Sequence, residues 1–174
     1  MKKYLYLFLI LLSAGVLFSC GDDDDDIAVD EEWKVLNDTA FQEIANNPDY
    51  TRLQSLNNNG FIYYKVLTEG TGTKKIYYNS TVDVYYKGWF IDGTVFDEKL
   101  EEYAVPATWT VNSRIPGWIT ALQYMVEGDE WEICIPQQLA YGSVGFKDNS
   151  GNVVIKPYST LIFSLKVVGV TDPE

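Results

Sequence analysis

The apolar residues of positions 30–46 recur mainly at intervals of three and four, which is the spacing of one helical face. The residues that share this face are Trp33, Leu36, Ala40, Phe41 and Ile44. Asn47-Pro48 ends the pattern, because proline disfavours helical backbone in the residue before it. The polar run at 57–60 then predicts a boundary, so residues 31–58 are expected to form a helical arm.

Beyond residue 59 the apolar positions alternate instead, with the period of two that is typical of half-buried strands. In the clearest segment, Val82, Val84 and Tyr86 share one face. Asp92-Gly93 is a residue pair typical of hairpin turns, and it separates two such segments. The pattern predicts strands at 61–67, 82–87, 94–96, 109–111, 131–135 and 161–168.

One helical stripe interrupts these strands. Pro116 suits the first turn of a helix, and Trp118, Leu122 and Met125 follow at the spacing of one face. Strands with a single short helix among them favour an α+β fold, in which an antiparallel sheet packs on that helix. We therefore expect this fold for the main part of the chain, with the helical arm in front of it.

The first nineteen residues have the three parts of an export signal. Two lysines are followed by an apolar run of about fifteen residues, which is shorter than the roughly 20 needed to span a bilayer. The run closes on Leu17-Phe18-Ser19-Cys20, which resembles the lipobox of bacterial lipoproteins, although Phe18 is bulkier than usual. The resemblance implies cleavage before Cys20 and a lipid anchor on that cysteine. The alternative is an ordinary secretory peptide in which Cys20 is coincidental.

Residues 20–30 are dominated by five consecutive carboxylates, Asp22 to Asp26. Such a charge run repels itself and is typical of a solvated tether without a fold. An acidic stretch beside a lipidated cysteine also resembles the surface-export signal of lipoproteins in Bacteroidetes-type bacteria. We expect a lipid-anchored protein of the cell envelope, at the outer membrane and exposed on the cell surface.

The charge and the missing residue types exclude several functions. The chain has 13 Lys and Arg against 25 Asp and Glu, so a nucleic acid backbone would be repelled. It has no histidine, which excludes an imidazole base, histidine-ligated zinc and every triad built on histidine. Cys134 is the only cysteine after Cys20, so the main domain has no internal disulfide, and we interpret Cys134 as strand filler. With no spaced ligand cluster and no glycine-rich phosphate loop, we expect neither a metal nor a cofactor.

Five short segments follow each other in an order that is similar to the motifs of the FKBP family of peptidyl-prolyl isomerases. They are Tyr85-Tyr86-Lys87-Gly88, Asp92-Gly93-Thr94-Val95-Phe96-Asp97, Ile115-Pro116-Gly117-Trp118, Leu139-Ala140-Tyr141-Gly142 and Pro157-Tyr158-Ser159-Thr160-Leu161-Ile162-Phe163. The resemblance covers roughly residues 60–170. It implies a twisted antiparallel half-barrel wrapped around one short helix, in agreement with the predicted elements.

The resemblance also implies a role for eight residues around one pocket. Trp118 corresponds to its floor, and the walls correspond to Tyr86, Phe96, Ile155 and Phe163. The backbone N–H of Ile115 and the hydroxyl of Tyr141 correspond to donors for substrate carbonyls, with Asp97 at the pocket edge.

Two departures from the family pattern stand out. Ala107 occupies a position where a pocket phenylalanine is common, and Lys99 is the only cation near the place of an arginine that often pairs with the aspartate.

The implied function is cis–trans isomerisation of X–Pro bonds in exported proteins, which assists their folding. The expected partners of the protein are proline-containing polypeptides. The protein is also expected to bind the membrane through the lipid on Cys20. One alternative is a binding module or chaperone of the same fold that binds proline-containing segments without catalysing their isomerisation. Another is a surface protein whose aromatic residues bind glycans or partner proteins.

Because the resemblance lies wholly beyond residue 58, the main domain is expected to fold without the arm. The chain then divides into five parts: a signal peptide at 1–19, an acidic lipidated tether at 20–30, the helical arm at 31–58, the isomerase domain at 59–170 and a tail at 171–174.

Overall fold

The computed structural model describes residues 27–172. Across these residues the chain forms two α-helices, α1 (Glu31–Ala45) and α2 (Pro116–Leu122). Its strands are β1 (Thr51–Gln54), β2 (Phe61–Thr68), β3 (Thr81–Phe90), β4 (Val95–Lys99), β5 (Ala107–Thr110), β6 (Glu130–Ile135), β7 (Phe146–Lys147), β8 (Val153–Ile155) and β9 (Leu161–Thr171). The predicted α+β class is confirmed, and each of the six predicted strands and both predicted helices is present.

The strands form one antiparallel sheet in the order β1-β2-β6-β9-β3-β4. Strand β5 shares an edge of β3 with β4, because it pairs with Thr81–Val84 while β4 pairs with Tyr86–Trp89. Strands β7 and β8 form a separate two-stranded ribbon. Alternate residues of β3 are buried, as its period-two pattern predicts, and they face a core that also contains α2.

Helix α2 lies unusually close to β6 because its second residue is glycine. A Cβ atom at Gly117 would come within 2.3 Å of the Ile135 side chain. Pro116 occupies the first helical turn, where its missing N–H costs no hydrogen bond. This short helix therefore packs Trp118 and Leu122 into the core, with the tryptophan 3% exposed.

Helix α1 packs on the main domain. Its N-terminus is capped by Asp30, which accepts a hydrogen bond from the Trp33 backbone N–H at 3.0 Å. Phe41 contacts the rings of Phe61 and Tyr63 on β2, with centroid distances of 6.1 and 5.4 Å. Packing against the sheet thus stabilises a helix whose own sequence is only weakly amphipathic.

The structure corrects the extent of the helical arm. Helix α1 ends at Ala45, and Thr51–Gln54 forms strand β1, which pairs with β2 along its whole length. The polar run at 57–60, predicted as a boundary, is the turn of this hairpin, in which Ser55 N–H donates to the Gly60 carbonyl at 3.0 Å. A four-residue strand is too short to show a period, which is why the pattern missed it.

The predicted signal peptide, Cys20 and the acidic run at 22–26 lie outside the described residues, as do residues 173–174 of the predicted tail. Within residues 27–172, neither helix has the length and apolar composition needed to cross a bilayer.

Candidate functional site

A cavity of about 360 Å³ opens beside the N-terminus of α2, against the faces of β3, β4, β5 and β9. It is mostly aromatic. Its lining consists of Tyr86, Phe96, Asp97, Trp109, Ser113, Arg114, Ile115, Trp118, Tyr141 and Phe163. The polar groups of these residues are thus one carboxylate, one guanidinium, two phenols, one serine hydroxyl and two indole N–H groups, together with the backbone of the loop before α2.

Trp118 is the most deeply buried of these residues, and other rings surround it. Its ring centroid lies 5.3 Å from that of Tyr86, 5.5 Å from Trp109 and 5.2 Å from Phe163. All three contacts are edge-to-face, an arrangement that aromatic pairs favour. The indole is therefore held in one orientation at the bottom of the cavity.

A glycine lets the two phenylalanine walls approach each other. Gly88 on β3 lies opposite Asp97 on β4 and Phe163 on β9. A Cβ atom there would come within 2.6 Å of the Phe163 ring and 2.7 Å of the Phe96 ring. Because that space is open, the rings meet edge-to-face with centroids 5.5 Å apart.

Tyr86 and Asp97 form a fixed pair on one wall. The Tyr86 hydroxyl donates a hydrogen bond to the Asp97 carboxylate at 2.8 Å. Burial raises the pKa of Tyr86, and the hydrogen bond to the negatively charged Asp97 raises it further. The phenol therefore stays protonated and orients the carboxylate at the cavity edge.

Several donors at the cavity have no acceptor within residues 27–172, among them the buried Trp118 indole N–H, the Ile115 backbone N–H and the Tyr141 hydroxyl. The Ile115 carbonyl accepts from the N–H groups of Trp118 and Ile119, at 3.0 and 3.2 Å, but within residues 27–172 its own N–H donates to no acceptor. The Tyr141 hydroxyl likewise donates to no acceptor in this part of the chain. Burial raises the pKa of Tyr141, so its hydroxyl keeps the proton that it can donate.

Of the eight residues predicted for the site, seven line this cavity: Tyr86, Phe96, Asp97, Ile115, Trp118, Tyr141 and Phe163. Ile155 does not. It is 2% exposed and lies at the end of β8, where it belongs to the hydrophobic core.

Three lining residues were missed by the sequence analysis: Trp109, Ser113 and Arg114. Trp109 follows Ala107 by two positions in β5, so the two lie on one face of the strand, and that period was the available signal. Arg114 directly precedes the segment that begins at Ile115. Lys99, which was considered as the cation near Asp97, is not part of the lining.

The fold and the cavity together define a class of protein, an antiparallel sheet with an aromatic pocket beside its short helix. A family profile described as FKBP-type peptidyl-prolyl cis-trans isomerase matches residues 72–168. The chain therefore belongs to the FKBP family, as the five segments implied.

Relatives of known name support the assignment. The chain is 44% identical over 142 residues to the outer membrane protein MIP of Legionella longbeachae, covering 80% of this chain and 55% of that one. It is 40% identical over 107 residues to the FKBP-type 22 kDa peptidyl-prolyl cis-trans isomerase of Escherichia coli, covering 62% and 48%. The chain thus spans about half the length of these curated relatives.

A solved structure supports the fold. The chain superposes on the peptidyl-prolyl cis-trans isomerase of Pseudomonas syringae with a TM-score of 0.68 at 30% identity. The match covers 84% of this chain and 98% of that one. The fold is thus shared with a solved peptidyl-prolyl cis-trans isomerase over most of this chain.

Proposed function

We propose that this protein is a peptidyl-prolyl cis-trans isomerase that acts on X–Pro bonds of exported proteins and assists their folding. The observation that supports this most directly is an aromatic cavity in which the Ile115 N–H and the Tyr141 hydroxyl have no acceptor within residues 27–172. An amide presents carbonyl acceptors, and a proline ring presents an apolar surface. The cavity is complementary to both.

Rotation about an X–Pro bond is slow because twisting the amide sacrifices its resonance, at a cost of about 18–20 kcal/mol. The twisted amide has less charge separation than the planar one. Transfer from water to a dry, aromatic cavity therefore disfavours the planar ground state relative to the transition state. No covalent bond forms or breaks, so the reaction requires neither a nucleophile nor a general base.

The cavity residues have separate parts in this mechanism. Trp118 supports the proline ring from below, and the phenylalanine walls exclude water from it. The Ile115 N–H and the Tyr141 hydroxyl hold the flanking carbonyls in the twisted geometry. Asp97, oriented by Tyr86, lies beside the bond that rotates.

The test is a protease-free assay of cis–trans exchange on an X–Pro peptide with an apolar residue before the proline. We expect residues 21–174, which lack the proposed signal peptide and the lipid-bearing Cys20, to accelerate exchange, and to do so equally in a metal chelator. Trp118→Leu should reduce kcat/KM on the order of tenfold, because it removes the aromatic floor under the substrate.

Trp131→Leu is the matched control. Trp131 is also nearly buried, at 7% exposure, but it stacks on Tyr64 outside the cavity. Both variants should lower the free energy of unfolding, and only Trp118→Leu should lower the activity of the folded protein. If the folded wild type accelerates nothing while proline peptides still shift its tryptophan fluorescence, the protein is a binding module or chaperone of the same fold instead.

We further propose that residues 1–19 are removed as a signal peptide and that Cys20 carries a lipid anchor in the outer membrane. The spacing of the lipobox supports this, and one relative is itself named an outer membrane protein. The tether at 20–30 has eleven residues and would reach at most about 40 Å, which keeps the isomerase domain at 59–170 close to the membrane. The acidic run supports display of the protein on the cell surface.

A further inference from the structure

Arg114 places a positive charge on the rim of the cavity. Its guanidinium lies 4.3 Å from the centre of the Trp109 ring, and its Nε donates to the Ser113 hydroxyl at 3.3 Å. The side chain is half-buried and forms part of the lining. Stacking on an aromatic face that is itself packed against Trp118 limits the orientations of the guanidinium.

This charge has no carboxylate partner in the part of the chain that the structure describes. Ion pairs found there include those of Lys34, Lys65, Lys156 and Lys166, and Arg114 takes part in none of these. Asp97, on the same cavity, forms no ion pair with Arg114, and its carboxylate accepts from the Tyr86 hydroxyl at 2.8 Å. A half-buried guanidinium with unused donors is poised to bind an incoming carboxylate, which it can hold through two parallel hydrogen bonds.

We propose that Arg114 is a specificity-determining residue that selects X–Pro segments carrying an aspartate or glutamate within one or two residues of the proline. The inference rests on the proposed isomerase function. Arg114 is the immediate neighbour of Ile115, whose N–H is the proposed donor to a substrate carbonyl. Since an extended peptide advances about 3.3 Å per residue, side chains adjacent to that carbonyl are the ones within reach of the guanidinium.

The net charge of the protein does not oppose this selection at physiological salt. The chain has a formal charge of −12, which repels acidic peptides at long range. At about 0.15 M ionic strength, however, charges separated by more than about 8 Å are largely screened, whereas a contact pair is less affected. The preference therefore depends on the contact with Arg114.

The experiment compares pairs of X–Pro peptides that differ only in glutamate against glutamine, placed before the proline in one pair and after it in another. We measure kcat/KM with residues 21–174, which lack the proposed signal peptide and the lipid-bearing Cys20, at about 0.15 M ionic strength. Wild type should favour the glutamate peptide of at least one pair by about fivefold, the upper range for a partly exposed ion pair. Arg114→Met should abolish this ratio, and Arg114→Lys should retain part of it.

Arg52→Met is the matched control. Arg52 is the only other arginine of the chain, and it too stacks on an aromatic ring, 3.9 Å from the centre of Phe61, but it lies outside the cavity. The Glu-to-Gln ratio should be unchanged in this variant. A ratio near one in wild type for both pairs would overturn the proposal, as would a ratio that survives Arg114→Met.

A failure of the isomerase proposal is distinguishable from a failure of this one. If no peptide is accelerated, the isomerase function fails, and the same peptides are titrated by tryptophan fluorescence. Tighter binding of the glutamate peptides that disappears in Arg114→Met would support the selection by Arg114 even then. Equal binding of both peptides would overturn it.

Discussion

The two phenols of the cavity differ in what their hydroxyl groups do. Tyr86 donates to Asp97, so its hydroxyl is already engaged in the folded protein. Tyr141 has no acceptor within residues 27–172, and its ring instead contacts Phe146, with centroids 5.3 Å apart. Removing either hydroxyl changes a single atom. The consequences should nevertheless differ, since Tyr141 is proposed to bind substrate and Tyr86 to orient a neighbour.

We expect Tyr141→Phe to reduce kcat/KM by about fivefold, because one hydrogen bond to the substrate, of order 1 kcal/mol, is lost. The free energy of unfolding should change little, since the hydroxyl has no partner to lose. Tyr86→Phe is the comparison and should lower both stability and activity, because it leaves Asp97 without its donor. Equal activity of Tyr141→Phe and wild type would remove Tyr141 from the proposed mechanism.

The same residues predict how activity depends on pH. Burial raises the pKa of both phenols above the ordinary value near 10, so their protonated forms, which are the donors, are fully populated below that pH. With no histidine in the chain, we expect kcat/KM of wild type to be nearly constant between about pH 6 and pH 9.

At the scale of elements, helix α1 is connected to the cavity by a series of aromatic contacts. Trp33 meets Phe90 edge-to-face with centroids 5.6 Å apart, and Phe90 lies 4.8 Å from Phe96 on the cavity wall. The Trp33 indole N–H also donates to the Ser159 hydroxyl at 2.9 Å. These contacts place the helix behind the wall and make it a support of the site.

A buried asparagine joins the same helix to the start of β9. Asn37 is fully buried, and its side-chain oxygen accepts from the Thr160 backbone N–H at 2.7 Å. Its amide nitrogen donates to the Trp33 carbonyl, also at 2.7 Å. Thr160 precedes the strand that carries Phe163, so this hydrogen bond fixes the point where a cavity wall begins.

We expect Asn37→Ala to lower the free energy of unfolding by about 1–3 kcal/mol, because the buried Thr160 N–H loses its acceptor. Asp38→Ala, one position further along and exposed, is the control and should have little effect. A chain that begins at Asn59 should be destabilised more, because it also loses β1. Denaturant unfolding measures all three. If the chain from Asn59 is as stable and active as the whole, the main domain folds without the arm, as the extent of the family resemblance implies.

At the scale of the whole molecule, the proposed anchor determines where the cavity meets its substrates. Cys20→Ala should abolish incorporation of a fatty-acid label and leave the precursor uncleaved. Replacing Asp22 to Asp26 by alanine should leave lipidation intact but protect the protein from protease added to whole cells. Normal labelling of Cys20→Ala would contradict the lipobox assignment. Unchanged digestion of the aspartate variant would reduce the acidic run to a plain tether.

Much of the fold was readable from the sequence because its signals are local. The period of two in β3, the turn at Asp92-Gly93 and the proline at the start of α2 each depend on residues within a few positions of one another. The order of the five segments was sufficient to predict the family. It also predicted seven of the residues that surround the cavity, since each lies in or beside one of those segments.

The tertiary structure decided what depends on surfaces that are remote in sequence. The spacing of α1 predicted Leu36 on its packed face, yet Leu36 is 51% exposed while the polar Asn37 is buried. The reason is a backbone N–H at Thr160, 123 residues away, that needs an acceptor. Arg114 is a shorter-range case, because the turn at Val111–Ser113 brings its guanidinium back over the ring of Trp109, five positions earlier. The hydrophobic period of a segment predicts whether it forms a helix or a strand. The groups that it contacts across the core determine which of its residues are buried.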